Sequence, residues 1–224
     1  MNATASRFGL LSACAAALGV SGCMSGTDTM RLAEVVYDQY IGGTPTTVAR
    51  EEAAAIPFAT LGISLSGGRQ VMLTLREQRG GNEYWGNPAN LSLVTRRGRI
   101  METTGFPRDL AKSQPLTASA DAGMTTLDTA QVFLLDLPDM GLYGLTVRCE
   151  AEDDGLESIE ILEVDLELRH IVEECEAEAI DWDFENEYWV DPTTAFVWRS
   201  EQTVHPKQGV ITLEALRPYV PQGR

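Results

Sequence analysis

Carboxylates are the most abundant side chains in this sequence that could take part in catalysis. Asp181, Asp183 and Glu185 alternate with Trp182 and Phe184. On a β-strand, residues two apart lie on one face at about 6.5–7 Å, near the separation of about 6.5–9.5 Å between the carboxyl groups of inverting glycosidases. Any strand with one solvated face shows the same alternation. A second acidic row nearby gives no reason to choose a pair: Glu173, Glu174, Glu176 and Glu178.

Other catalytic and metal-binding patterns are missing from the sequence. No glycine-rich phosphate loop precedes a helix, and there is no G-x-S-x-G elbow. His170 and His205 have no nearby nucleophile and form neither a short histidine pair nor a set with a C-x-x-C motif. We therefore expect a protein that is not an enzyme and that holds no metal or cofactor, with the row at Asp181 as the one candidate site if catalysis occurs.

Aromatic and cationic residues are the better candidates for binding. The tryptophan ring offers an apolar face to the C–H surface of a sugar, and a few polar groups beside it fix the orientation of the sugar. The candidates for contact with a sugar or a protein partner are Trp85, Arg96, Arg97, Arg99, Trp189, Trp198 and Arg199. The alternative is that these tryptophans are core residues, and the sequence leaves both possibilities open.

The N-terminus has the layout of a secretory signal peptide. One cation, Arg7, precedes an apolar run over residues 8–20 that is too short to span a bilayer. Residues 20–23, which end at Cys23, resemble the lipobox of bacterial lipoproteins. The resemblance implies a signal peptide over residues 1–22, a diacylglycerol thioether on Cys23 and a further acyl chain, such as palmitate, on its amine. An ordinary secretory peptide is the alternative.

Residues 23–28 are expected to form a short tether behind the lipid anchor. Two or more acyl chains give a stable membrane attachment, whereas one gives a marginal attachment. Met24, a residue other than Asp directly after the lipidated cysteine, is typical of sorting to the outer membrane, with the domain facing the periplasm. In that oxidising compartment, Cys149 and Cys175 are expected to form a disulfide.

Length and charge limit the remaining possibilities. The chain has 224 residues and a net charge of −16, which argues against nucleic acid as a partner and against a domain lying flat on an anionic membrane. No second apolar run approaches the roughly 20 residues that span a bilayer. Residues 29–224 are expected to form a single domain.

The pattern of apolar residues predicts a mainly β fold with one short N-terminal helix over residues 29–40. From Ala54 onward the apolar period is two, and about ten short strands separated by turn residues predict an antiparallel barrel or sandwich. Residues 143–152 and 158–169 read as two strands separated by residues 153–155, and a slip of phase after Ile161 predicts a β-bulge. Residues 96–98 predict a tight turn, residues 106–112 a helical turn, and residues 113–124 a loose polar segment.

Four segments together resemble the YjbF/GfcB family of lipoproteins, which is associated with group 4 capsule and exopolysaccharide operons. They are residues 95–100 (TRRGRI), 103–110 (TTGFPRDL), 187–192 (EYWVDP) and 197–202 (VWRSEQ). The resemblance covers about residues 32–218. It implies a barrel-like periplasmic domain anchored at the outer membrane, and no catalytic residues are established for the family. This sequence departs from the family near Ala195, where a glycine is expected.

The sequence therefore favours a non-enzymatic lipoprotein that takes part in capsule or exopolysaccharide secretion or assembly. Its expected partners are the membrane, through the lipid, and the export proteins or the polysaccharide itself. Two alternatives stay open. One is an enzyme that modifies the polysaccharide, and the other is a carrier of an apolar ligand, similar in outline to the lipoprotein-localisation factors LolA and LolB.

Overall fold

The structure is a computed structural model that describes residues 44–125, 127 and 129–219. The signal peptide, Cys23, the tether and the predicted helix over residues 29–40 lie outside the described residues. Within the described ranges, no helix has the length and apolar character needed to cross a bilayer.

Twelve antiparallel strands form one sheet that curls into a nearly closed barrel. Around the barrel the order is β5, β4, β3, β2, β1, β12, β11, β10, β9, β8, β7, β6, so the seam lies between β5 and β6. The strands are β1 Thr60–Leu65, β2 Val71–Arg79, β3 Asn82–Gly86, β4 Ser92–Arg96, β5 Arg99–Thr104, β6 Lys112–Pro115, β7 Gln131–Leu137, β8 Leu142–Ile161, β9 Val164–Ala177, β10 Trp182–Val190, β11 Val197–Gln202 and β12 Ile211–Arg217. The mainly β fold is confirmed, and it is the barrel form.

Alternation of side chains along the strands fills the barrel. Along β7, the buried residues Phe133, Leu135 and Leu137 alternate with residues of intermediate exposure. On β12, Ile211 and Leu213 point inward in the same way and pack in the same cluster. Because successive side chains of a strand point to opposite faces, this phase fixes which residues the barrel encloses.

The β8–β9 hairpin corrects the sequence interpretation. β8 runs unbroken through residues 153–155, where the register shifts between Asp153 and Gly155. The hairpin turn lies instead at Leu162 and Glu163, which both have positive φ. The predicted turn is therefore a bulge, which Gly155 accommodates at φ 98°, and the slip of phase after Ile161 is the turn.

Three short segments also differ from prediction. Helix α1 (Arg50–Ala55) was not predicted, and helix α2 (Ala118–Ala122) and β6 lie within the segment expected to be loose. Thr117 caps α2 by accepting a hydrogen bond from the Ala120 N–H at 3.2 Å. No helix forms over residues 106–112, because the Asp109 carboxylate accepts hydrogen bonds from the backbone N–H groups of Gly105 and Phe106.

The tip of the β8–β9 hairpin packs against other elements in a second cluster outside the main core. Ile159, Ile161 and Leu168 pack there with Ala53 of α1 and with Leu216 of β12. The Arg50 guanidinium also donates to the carbonyl of Leu162 at the tip. The hairpin therefore covers part of the outer wall.

Candidate functional site

A pocket opens at the barrel mouth next to the β4–β5 turn and the β10–β11 loop. Its volume is about 250 Å³, and the inward-facing Leu61, Leu213 and Ala215 are part of its lining. Four of the seven predicted contact residues line it: Trp85, Arg97, Trp198 and Arg199. We call this cavity the mouth pocket.

The β4–β5 turn is one wall of the mouth pocket and is held from inside the barrel. Arg97 and Gly98 have φ values of 51° and 82°, as a two-residue hairpin turn with positive φ at both positions requires. The Gln202 amide donates to the Gly98 carbonyl at 2.8 Å and accepts from the Ile100 N–H at 2.9 Å. A Cβ at Gly98 would lie 2.5 Å from the Cβ of Val197, so this position requires glycine.

The β10–β11 loop is the opposite wall. The Asp191 carboxylate accepts hydrogen bonds from the Thr194 N–H at 2.7 Å and the Thr193 N–H at 2.9 Å. The hydrogen bonds from the Thr194 backbone and side chain are the main cause of a pKa of Asp191 below its usual value. Ala195 has φ 58°, the left-handed conformation that the expected glycine would adopt without strain.

A chain of hydrogen bonds fixes Trp85 in the pocket wall. Its indole N–H donates to the Thr95 hydroxyl at 2.8 Å, and this hydroxyl donates to the Glu83 carboxylate at 2.8 Å. Glu83 also accepts a hydrogen bond from the Gln78 amide. Because a carboxylate has about four acceptor positions, Glu83 keeps acceptor capacity for the hydroxyl group of a ligand.

Arg96 and Arg97 are adjacent in sequence but differ in their partners. Arg96 pairs with Asp121 at 2.6 Å. Arg97 is exposed, its side chain passes over Gly123, and it forms no ion pair or hydrogen bond within the part of the chain that the structure describes. Arg97 therefore presents a guanidinium group with free donors at the rim of the mouth pocket.

This arrangement suits the binding of one sugar ring. Trp85, Trp198 and Phe196 supply aromatic surface, and the rings of Phe196 and Trp198 meet edge to face at a centroid distance of 5.2 Å. Glu83 offers acceptors and Arg97 offers donors. The cavity is somewhat smaller than the pockets of about 300–1,000 Å³ that hold drug-sized ligands, so it fits a single ring and not a long segment of polymer.

Arg99, another predicted contact residue, lies in the barrel lumen and not at the mouth. Its guanidinium forms a two-pronged ion pair with Glu173, whose side chain is 0% exposed; the distance from Nη1 to Oε2 is 2.9 Å. Asn186 donates to the same carboxylate at 2.9 Å, and Phe133 lies against the guanidinium at 4.3 Å. This corrects the sequence grouping, because a side chain committed to a buried pair is not available to a ligand.

Two pKa values reflect the burial of this lumen cluster. Burial alone would lower the pKa of Arg99, but the charge and hydrogen bonds of Glu173 outweigh it, so the pKa is raised and the guanidinium stays charged. Burial raises the pKa of the Tyr188 hydroxyl well above its usual value. In the lumen cluster, Glu173 therefore serves as the partner that keeps the buried Arg99 guanidinium charged.

Trp189 and the Arg199 guanidinium belong to a third region, on the outer wall. Trp189 is 6% exposed, stacks on His170 at a centroid distance of 4.8 Å and donates to Glu157 of the hairpin at 2.7 Å. The Arg199 guanidinium lies 5.0 Å from the Trp189 ring and pairs with Glu201 at 2.7 Å. Trp189 is thus a packing residue, as the core alternative expected, and Arg199 contributes to the pocket wall while its charge is paired.

The remaining chemical groups lie outside the mouth pocket. Asp181, Asp183 and Glu185 are exposed, in agreement with a solvated face. The predicted disulfide is present between Cys149 and Cys175, which are directly paired across β8 and β9. These two cysteines and Glu173 form the metal-like cluster found among the described residues, but the bond between the sulfur atoms leaves no thiolate to bind a metal.

Sequence reasoning missed Glu83, Thr95 and Phe196 as pocket residues. Glu83 and Thr95 are cross-strand partners, and pairing of the two strands around Trp85 would have brought them together. The sequence also contained a signal that Glu173 points into the barrel. Ile171, Cys175 and Ala177 share its phase on β9, whereas the exposed Glu174 has the opposite phase.

Comparisons with known proteins show the family and the fold of this chain. The family model for the group 4 capsule polysaccharide lipoprotein GfcB, YjbF, matches residues 30–216. The uncharacterized lipoprotein GfcB of Escherichia coli (strain K12) is 27% identical over 210 residues, which cover 88% of this chain and 92% of the relative. The crystal structure of the hypothetical lipoprotein YmcC from Escherichia coli (K12) has a TM-score of 0.66 at 22% identity and covers 88% of this chain and 97% of its own. This last likeness shows the fold.

Proposed function

The chain belongs to the YjbF family of group 4 capsule polysaccharide lipoproteins, and we propose that it acts in capsule or exopolysaccharide secretion or assembly by binding the polymer without catalysis. Lipid on Cys23 anchors it in the outer membrane, and the barrel faces the periplasm. There it meets the polymer and the export proteins.

The mouth pocket is the observation that carries this proposal. It combines the aromatic surface of Trp85 and Trp198 with the guanidinium of Arg97, which has no partner among the described residues. A site of this kind recognises a sugar by stacking and by a small number of placed polar groups.

The two alternatives find less support in the geometry. A carrier of acyl chains needs a large dry cavity, whereas the space beside Arg99 in the lumen is about 30 Å³, which has room for about one water molecule. An enzyme would place its carboxylates around an enclosed cleft, whereas Asp183 and Glu185 are exposed and line an open depression on the outer wall. Binding is therefore the function that this geometry favours.

The test is to purify the tagged, lipidated protein from detergent-solubilised envelopes of the strain that carries the gene and to quantify the bound polysaccharide by sugar analysis after hydrolysis. Trp198→Ala is expected to lower the recovered sugar about tenfold, since loss of a central aromatic contact costs more than 1.4 kcal/mol. Trp182→Ala is the matched control, because this half-buried tryptophan lies at the start of β10, away from the pocket. Sugar absent from the wild type, or lost equally in both variants, would contradict the proposal.

The anchor is tested separately by Cys23→Ala. The account expects this variant to leave the membrane fraction and to appear in the soluble periplasmic extract, because no lipid remains to hold it. Retention of the variant in the outer membrane would contradict anchoring through Cys23.

A further inference from the structure

A second groove begins at the rim of the mouth pocket and was not foreseen from the sequence. Its walls are the segment before β1, the end of β2 and the residues after β12. Two large side chains in it are unusually exposed, Phe58 at 63% and Tyr219 at 44%. Neighbouring exposed apolar side chains of this size are typical of interaction surfaces. We call this surface the rim groove.

Arg76 lines the rim groove because of a β-bulge. The pairing of β2 with β3 moves from Leu75 opposite Trp85 to Glu77 opposite Tyr84, so Arg76 is the extra residue. Bulges of this kind redirect a side chain relative to the regular strand. Arg76 is exposed, and among the described residues it makes no hydrogen bond or ion pair.

The charged groups near these surfaces include more unpaired cations than unpaired carboxylates. Glu77 pairs with Arg79 at 3.6 Å, whereas Glu83 accepts hydrogen bonds only from neutral groups, the Thr95 hydroxyl and the Gln78 amide. Arg76 in the groove and Arg97 at the pocket have no carboxylate partner in the described ranges, so two guanidinium groups stand against the one carboxylate of Glu83. In a chain of net charge −16, two unmatched cations beside aromatic surface mark a place that receives an anion.

The groove and the pocket share one stretch of barrel wall. Leu75 lines the groove and lies directly opposite Trp85, which lines the pocket. The Leu75 N–H donates to the carbonyl of Ala59, another groove residue, at 3.0 Å. A linear chain of sugars seated in the pocket would therefore continue into the groove without leaving the protein surface.

From these observations we infer that the rim groove is a second saccharide subsite, and that pocket and groove together bind consecutive units of an acidic polysaccharide. Phe58 and Tyr219 provide the apolar platform, and Arg76 and Arg97 pair with carboxylate groups on the sugars. The inference rests on the proposed function and adds the charge class of the polymer and the length of the segment bound.

The test compares the polysaccharide shed by the strain that carries the gene with the same polymer after carbodiimide-mediated reduction of its carboxyl groups. Affinities are measured by calorimetry for the wild type, Arg76→Gln and Arg79→Gln. Arg79 is the matched control, since it lies on the same strand, is exposed and is already paired. We expect Arg76→Gln to weaken binding of the native polymer about tenfold and Arg79→Gln to change it less than twofold. The carboxyl-reduced polymer is expected to bind wild type and Arg76→Gln equally.

Equal effects of the two substitutions, or an unchanged loss with the reduced polymer, would overturn the second subsite while leaving the proposed function standing. No binding of native polymer by the wild type would instead overturn the proposed function.

A Phe58→Ala/Tyr219→Ala variant provides a further check. The inference expects weaker binding of the long polymer, unchanged binding of its shortest repeat-unit fragment and an unchanged midpoint of thermal unfolding. A large drop in that midpoint with unchanged affinity would show that these side chains pack within the protein, and the inference would fail.

Discussion

Arg97 and Arg99 lie two positions apart on one tight turn, yet their side chains have different environments and different roles. Arg99 points into the lumen, where both of its terminal guanidinium nitrogens pair with Glu173. Arg97 points to the mouth and has no partner among the residues that the structure describes. Taking a charge out of water is unfavourable unless a partner neutralises it. An exposed charge keeps its hydration without a partner and stays available to bind a ligand. In this barrel, the place of an arginine decides its role more than its neighbours in sequence do.

The lumen cluster and the mouth pocket should therefore respond differently to substitution. Changes in the lumen are expected to alter the free energy of unfolding and to affect binding only through the fold. At the mouth, removal of an exposed side chain that faces the ligand, such as Arg97, is expected to alter affinity for sugar and to leave stability nearly unchanged. The following variants test this division, beginning with the largest expected effect.

Glu173→Gln should destabilise the barrel most. It removes the partner of a buried guanidinium, and breaking a buried ion pair on one side costs about 3–5 kcal/mol. The measurement is the free energy of unfolding in urea at neutral pH. Glu174→Gln, on the exposed face of the same strand, serves as the control and should change stability by less than about 0.5 kcal/mol. Equal stability of the two variants would contradict the account of the lumen.

Removal of the disulfide should have the next largest effect. Cys149 and Cys175 are separated by 26 residues, and a crosslink closing a loop of this size stabilises a domain by about 2–4 kcal/mol. The Cys149→Ala/Cys175→Ala variant should lose that much free energy of unfolding, measured in urea. While folded, it should bind polysaccharide with unchanged affinity. An unchanged unfolding midpoint, or a tenfold loss of affinity in the folded variant, would contradict the claim that changes in the lumen affect stability and not binding.

Ala195→Gly, in the loop that lines the mouth pocket, should have the smallest effect on the free energy of unfolding. Ala195 has φ 58°, a conformation that costs a residue with a Cβ about 1–2 kcal/mol and glycine much less. The greater freedom of glycine in the unfolded chain offsets part of this gain. A net stabilisation of about 0.5–1 kcal/mol in urea unfolding is expected, and a destabilised variant would show that the loop is not strained.

The sequence predicted an antiparallel barrel or sandwich but interchanged two features of its longest hairpin. Alternation identified residues 143–152 and 158–169 as extended, which they are except at Leu162 and Glu163. It placed the turn at Asp153–Gly155, because that segment has turn composition, although the turn lies at Leu162 and Glu163. A bulge and a turn both interrupt the alternation of apolar residues. The pairing with the neighbouring strand distinguishes them, and the sequence of one strand does not show that pairing.

The candidate site was predicted in composition but not in arrangement. Tryptophan and arginine were singled out as candidates for contact with a sugar or a protein partner, and four of the seven lie in one pocket. Trp189 and Arg99 were grouped with them because sequence spacing does not show on which side of the barrel wall a side chain lies. Arg76 was overlooked because its exposure depends on a bulge, and bulges leave little trace in sequence.

The most direct test of polysaccharide binding at the mouth is an NMR titration of the protein, labelled with ¹⁵N at its tryptophans, with the polysaccharide of the strain that carries the gene. The four indole signals report on three places: Trp85 and Trp198 at the mouth, Trp189 on the outer wall and Trp182 near the opposite end. The account predicts that the Trp85 and Trp198 signals shift together with one dissociation constant, while the other two stay in place. Shifts confined to Trp182 or Trp189, or no shift at all, would contradict it.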